Sequence, residues 1–276
     1  MSEQWVPFGV RMGVQEPVRL KNEFSEDPVT LKAVSDWLGN GIGSLYSPDF
    51  EPLIGACNIP VYKDQYNRPL AASRRVFEYA FSDEIPLLNT VEYLAAKSRN
   101  RGVPAALNSL CLHYNVNWRF DTATQRLVRR VLPETQEHYE NLAKSVDQAC
   151  SEYLHQAFAN AYGHNGDPGE AWAASRKAVE FLLHPIVSPN NTRATISSMI
   201  RDIRQAPHKW VSAIPANSSE ESVLKFVELL KMMPYEPGHH GQTPGNPTAE
   251  QARTQFNLAL TVCQIIKDDG FRMADS

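Results

Sequence analysis

Two adjacent histidines, His239 and His240, stand in a span, residues 234–247, that holds four prolines and three glycines. Proline and glycine at that density predict a loop rather than a regular element. Histidine, with an unperturbed pKa of ~6.5, populates both protonation states near neutrality, so such a pair can divide proton removal and proton donation between them. Cleavage of RNA without a metal needs those two functions. A base takes the 2′-hydroxyl proton, an acid protonates the departing 5′-oxygen, and positive charge stabilises the phosphorane. Arg193, Arg201 and Arg204 recur at i, i+8 and i+11, close to one helical face, with His208 and Lys209 just beyond. Such a stripe either holds RNA phosphates or is a solvated face paired with acids such as Asp202. Glu180 offers a carboxylate that can pair with Arg176 one turn earlier. His239 and His240 also have a plainer reading, as solvated residues or caps of the helix that follows.

Other chemistries find less support. The four cysteines, Cys57, Cys111, Cys150 and Cys263, lie far apart with no CxxC pair. Reduced, mostly buried thiols are expected in place of zinc ribbons or thioredoxin-type exchange. His113 near Cys111 and His138 near Cys150 lack a second ligand pair, so neither a metal nor a cofactor is expected. Gly39-Asn40-Gly41-Ile42-Gly43 looks like a phosphate loop, but it follows a helical stretch rather than a strand and reads as a helix C-cap. No Gly-x-Ser-x-Gly elbow occurs, which removes the commonest hydrolase signature. A formal charge of −4 lacks the basic footprint of a duplex-DNA binder. A hydrophobic share of 42% and a charged share of 21% are globular values, too apolar for disorder and too polar for a membrane bundle. No stretch approaches the ~20 apolar residues of a membrane helix, and Met1-Ser2-Glu3-Gln4-Trp5 has no basic leader pattern, so a cytoplasmic chain is expected.

The elements that must position these residues are helical. Asp167-Pro168 places an N-cap acceptor before a proline at the first helical position, and Glu170 at N3 completes a capping-box pattern. From there Ala171, Ala174, Ala178, Phe181 and Leu182 recur at helical spacing, predicting an amphipathic helix that ends near His184-Pro185. Upstream, residues 134–161 contain no Gly or Pro and repeat Leu142, Val146, Ala149, Tyr153 and Ala157 on one face, predicting one long helix. The turn Tyr162-Gly163-His164-Asn165-Gly166 folds the two into an antiparallel hairpin. Further helices are predicted at 192–205, with Ile196, Met199, Ile200 and Ile203 inward, and at 219–232. A last helix opens at Thr248 and turns Ala252, Phe256, Ala259, Leu260, Cys263 and Ile266 inward, then fades at Asp268-Asp269-Gly270 into a short tail. The first half is less regular, with helices near 28–38, 70–81, 87–98 and 104–114 and a long polar and aromatic loop at 48–68. Val116, Trp118 and Phe120 alternate with polar residues before Asp121-Thr122-Ala123 turns the chain, which predicts a small β-hairpin within 116–131. The expected fold is mostly α, an irregular helical domain with a hairpin at 1–132 and a helical bundle at 133–276.

Taken in order, Asp167-Pro168-Gly169-Glu170-Ala171-Trp172, Ser175-Arg176-Lys177-Ala178-Val179-Glu180, a helix start at Thr195, His240-Gly241 and Glu250-Gln251-Ala252 resemble the C-terminal module of bacterial abortive-infection proteins. In those proteins a DP…A…S…A.E helix is followed by an (R)HG loop and an EA helix, and the module belongs to the HEPN superfamily. The resemblance covers about residues 103–267, and the helix at 87–98 and the hairpin are similar to the region that precedes the module. It implies a HEPN-like bundle of four to five helices that forms a homodimer and serves phage defence as a metal-independent endoribonuclease. It implies His240 as catalytic and Glu180 facing the loop histidine, while His239 as a second catalytic residue and Arg193, Arg201 and Arg204 as RNA-phosphate contacts are expectations read from the residues themselves. The partners it implies are RNA, a second copy and a partner or antitoxin protein, with no membrane. Where the family's loop carries arginine before the histidine this sequence has His239, and Lys231 is the nearest upstream cation. The alternative is a non-catalytic homodimerising module that binds RNA or a partner protein.

Overall fold

The structure, a computed structural model, describes residues 20–43, 47–98, 100, 102–233 and 247–274. Among them are eleven α-helices and two small antiparallel sheets of two strands each, a mostly α fold with a β-hairpin. The chain divides into two compact units, Met1–Arg130 and Val131–Ser276.

The first unit holds α1 (Pro28–Gly43), α2 (Glu51–Ala56), α3 (Ala72–Ala80), α4 (Glu84–Lys97), α5 (Gly102–His113) and the hairpin β1 (Trp118–Asp121) and β2 (Arg126–Arg129). Asp27 caps α1 by accepting from the Val29 and Thr30 amides at 2.9 and 3.0 Å. The Lys21 ammonium paired with it holds its carboxyl well below the usual carboxylate range. The helix does not stop at Leu38 but runs on through Gly39 and Gly41. Ile42 is buried, and a Cβ on Gly41 would lie 3.7 Å from Leu94 Cδ1, so packing outweighs the ~1 kcal/mol that each glycine costs a helix. Nor is 48–68 a loop throughout, because Leu53 anchors the short α2 in the core. The hairpin sits where the alternation puts it. Trp118 pairs with Arg129 and Phe120 with Leu127, and Trp118, Phe120, Leu127 and Val128 are buried. Its edges are closed by side chains from the helices. Asn108 brackets Phe120, accepting from its N–H at 2.7 Å and donating to its carbonyl at 3.0 Å, while Glu92 accepts from Leu127 N at 2.6 Å. Backbone groups that would otherwise recruit another strand are thereby satisfied.

The second unit holds α6 (Pro133–Ser145), α7 (Gln148–Tyr162), α8 (Pro168–Val187), α9 (Ile196–Gln205), β3 (Trp210–Ser212), α10 (Ser219–Lys231), α11 (Ala249–Lys267) and β4 (Phe271–Met273). The single helix expected over 134–161 is two. Val146 is extended, and Asp147 caps α7 by accepting from Ala149 N at 2.9 Å. Aspartate competes with helical backbone bonding and gains most at a cap, so a run free of Gly and Pro still breaks. The break moves Val146, Ala149 and Tyr153 out of the core, which keeps the expected Leu142 and Ala157 and takes in Tyr139, Cys150, Leu154 and Phe158. The turn after Tyr162 returns the chain as expected. A Cβ on Gly166 would sit 2.1 Å from the Asn160 carbonyl oxygen. Gly166→Ala therefore forces the turn apart, with an expected loss of about 1–3 kcal/mol, read as a lowered midpoint in differential scanning calorimetry.

The bundle closes around aromatic rings. Tyr139 stacks on Phe158 at 4.3 Å, and Phe256 of α11 meets Tyr139 and Tyr162 edge-on, each at 5.9 Å. The inner faces of α9 and α11 are the expected ones, all buried. The tail after Gly270 is not loose. It forms β4 beside β3, and Phe271 stacks on Phe226 at 4.3 Å. All four cysteines are free, with Cys57 half-buried and the other three buried. Burial pushes the Cys111 thiol up to about 12. Cys150 Sγ donates to the Ala178 carbonyl at 3.7 Å, and the neighbouring Cys150 thiol together with burial pushes the Cys263 thiol upward. No helix among the described residues is long and apolar enough to cross a membrane.

Candidate functional site

α8 positions the chemistry of the second unit. Asp167 caps it by accepting from Gly169 N and Glu170 N at 2.7 and 3.2 Å. The reciprocal half of the expected capping box comes from a different residue, since the Asp167 N–H donates to Asn160 Oδ1 at 3.2 Å. The helix does not end at His184-Pro185 but runs through Pro185 to Val187, closed by Ser188 N donating to His184 O at 3.0 Å. Its inward face is Ala171, Ala174, Ser175, Ala178, Val179 and Leu183. Phe181, expected in the core, is 38% exposed, and Leu182 is half-buried. Phe181 instead belongs to a different surface.

Beyond Ser188 the chain folds back over α8 before entering α9. Two α8 side chains one turn apart hold this return. His184 Nε2 lies 2.8 Å from the Asn191 carbonyl, and Glu180 Oε1 accepts from Ile196 N at 2.9 Å. A ring nitrogen facing a carbonyl must carry the proton, so in the neutral His184 ring Nδ1 is left as a hydrogen-bond acceptor. Glu180 thus places an anion at the N-terminus of α9, where the helix dipole favours it. Its Oε1 also lies 3.8 Å from Arg176 Nε, the ion pair that sequence spacing allowed. Thr195 completes the α9 start through a capping box with Ser198.

Between α7, α8 and the return runs a groove of about 510 Å³. Tyr153, Phe181 and Pro185 line it with apolar surface, and Lys177, Glu180, His184 and Thr192 with polar groups. Lys177 Nζ lies 5.8 Å from the Tyr153 ring centroid and makes no ion pair among the described residues. Such a groove combines ring surface with the Lys177 ammonium, a ring-nitrogen acceptor and a carboxylate, which suits binding of a small polar aromatic group.

The residues singled out from sequence distribute as follows. His239 and His240 lie outside the described residues. Arg193 is exposed in the return, between the groove residues Thr192 and Ala194, rather than on a helix, because α9 begins only at Ile196. Arg201 and Arg204 lie one turn apart on the solvent side of α9, opposite buried Met199 and Ile203. Arg201 Nε is 3.6 Å from Asp202 Oδ1 with its side chain 67% exposed, a geometry that leaves the guanidinium open to solvent. His208 and Lys209 follow, exposed in the single turn Pro207–Lys209. The structure therefore brings Glu180 to the return that carries Arg193, and leaves Arg201 and Arg204 on an open helix face. Sequence reasoning missed Tyr153, Lys177, His184 and Thr192 as one surface. The signal was present in Lys177, Glu180, Phe181 and His184, which recur at i, i+3, i+4 and i+7 on one helical face. Among the described residues no group of three His, Cys, Asp or Glu side chains is gathered to hold a metal. Comparison with protein-family models, with curated proteins and with solved structures finds no match.

Proposed function

We propose that the second unit acts on RNA as a HEPN-like, metal-independent endoribonuclease of phage defence, with His240 as its essential proton-transfer residue and His239 beside it. In that chemistry the 2′-oxygen attacks phosphorus while one histidine takes its proton. The 5′-oxygen leaves with a proton from the other, giving a 2′,3′-cyclic phosphate and a free 5′-hydroxyl. What carries the reading is the order of parts. His240-Gly241 falls between α10 and α11 in the sequence of a mostly helical unit whose α8 opens on Asp167-Pro168 and carries Glu180, the order the resemblance requires. Arg193, Arg201 and Arg204, all exposed, supply positive charge for phosphates. One observation favours a second reading. His239 stands where the family's loop has arginine, and a loop without that cation suits a non-catalytic homodimer that binds RNA or a partner protein.

Both readings share a test in RNA binding. Fluorescence anisotropy of a labelled single strand in EDTA, repeated across salt concentrations, should show affinity falling as salt rises. Each phosphate contact removed flattens the slope of log K against log salt by ~0.7 for single strands. Replacing Arg201 and Arg204 together by alanine is expected to flatten it by roughly 1.4, uniformly across sequences. An unchanged slope would take α9 out of the RNA surface.

A further inference from the structure

We infer that the groove between α7, α8 and the return seats one unpaired nucleotide, its base against the Phe181 and Tyr153 rings and its phosphate on Lys177. The lining selects for this class. Phe181 is a large aromatic side chain left 38% exposed on the open face of α8, beside Lys177 and His184, where it serves as a wall for a flat ring rather than as core. Lys177 brings an ammonium with no carboxylate partner among the described residues to the same groove, over the Tyr153 ring. Arg193 adds a second exposed cation between two lining residues of the return. Glu180, whose charge is only partly met by Arg176 at 3.8 Å, opposes any larger anion, so a monophosphate fits better than a triphosphate. The acceptors select among bases. In the neutral His184 ring Nδ1 is an acceptor, because Nε2 faces the Asn191 carbonyl at 2.8 Å, and among the described residues nothing donates to the second oxygen of Glu180. Guanine presents three N–H donors on one edge and uracil one, so a guanine nucleotide is favoured over a uridine nucleotide.

The same chemistry is offered by a free nucleotide and by an unpaired residue of RNA. Only the polymer arm of the inference rests on the RNA reading above. Isothermal titration of the full chain with guanosine 5′-monophosphate, uridine 5′-monophosphate, inorganic phosphate and a single-stranded hexaribonucleotide containing one guanosine separates the cases. Phe181→Ala and Lys177→Ala remove exposed side chains and leave the core intact. Each is expected to weaken the bound probe about tenfold or more, with the guanosine nucleotide binding more tightly than the uridine one and phosphate alone not registering. Binding of the mononucleotide identifies a free nucleotide as sufficient. Binding of the hexamer alone, weakened by the same two variants, identifies an RNA residue. If neither probe's affinity changes in Phe181→Ala and Lys177→Ala, or if inorganic phosphate binds as tightly as the nucleotide, the groove does not seat a base. Mononucleotide binding that depends on Lys177 in a protein that neither binds nor cuts RNA would remove the RNA reading and leave this site standing.

Discussion

Phe256→Ala is expected to lower the unfolding free energy of the second unit by about 3–5 kcal/mol. Phe256 is fully buried on α11, meets Tyr139 and Tyr162 edge-on, and lies 5.7 Å from Phe158, so it joins three helices through one ring. Its loss removes the transfer free energy of the ring and leaves a cavity that Tyr139 and Phe158, stacked on each other at 4.3 Å, are too constrained to fill. Urea unfolding followed by far-ultraviolet circular dichroism checks this, because helix content reports the bundle directly. Phe256→Leu keeps most of the volume and should cost less than half as much. A loss below about 1 kcal/mol for the alanine variant would mean that the four-ring cluster is not what holds α6, α7 and α11 together.

Phe256 was legible in the sequence because α11 carries an uninterrupted 3.6-residue pattern behind a Thr248–Gln251 capping box, and both survive in the fold. The same holds for Ile196, Met199, Ile200 and Ile203 on α9, and for the alternation that sets the β1–β2 hairpin. Elements decided by tertiary packing were not legible. Whether residues 134–161 form one helix or two turns on the preference of Asp147 for a cap, which no period reveals. Gly41 stays helical because Leu94 packs beside it, a contact more than fifty residues away in sequence. β4 is three residues with one buried ring, Phe271, and is a strand only because Trp210 and Phe226 wait for it. The groove escaped for a related reason. Periodicity assigns Phe181 to an apolar face but does not tell a face that meets another helix from one that walls an open cleft.

RNA cleavage by His240→Ala is expected to fall by ~10²–10⁴, the range for loss of a general acid or base. The residue type suits the step, because imidazole near neutrality serves as either acid or base. The effect should lie in kcat with RNA affinity nearly unchanged, since the phosphate contacts proposed for Arg193, Arg201 and Arg204 are untouched by the change. His239→Arg returns the loop to the arginine-histidine-glycine pattern and is expected to raise the rate, through charge gained beside the phosphorane. Initial rates on a labelled strand at saturating and limiting concentrations check both. Full activity in His240→Ala would place the chemistry elsewhere in the chain.

The most direct measurement is the nature of the ends produced when purified protein meets mixed RNA in excess EDTA. Cleavage that persists without divalent ions and leaves 2′,3′-cyclic phosphate and 5′-hydroxyl ends is the expected result. RNA that stays intact with both the wild type and His239→Arg, or fragments that vanish when EDTA is added, would contradict a metal-independent, histidine-dependent ribonuclease.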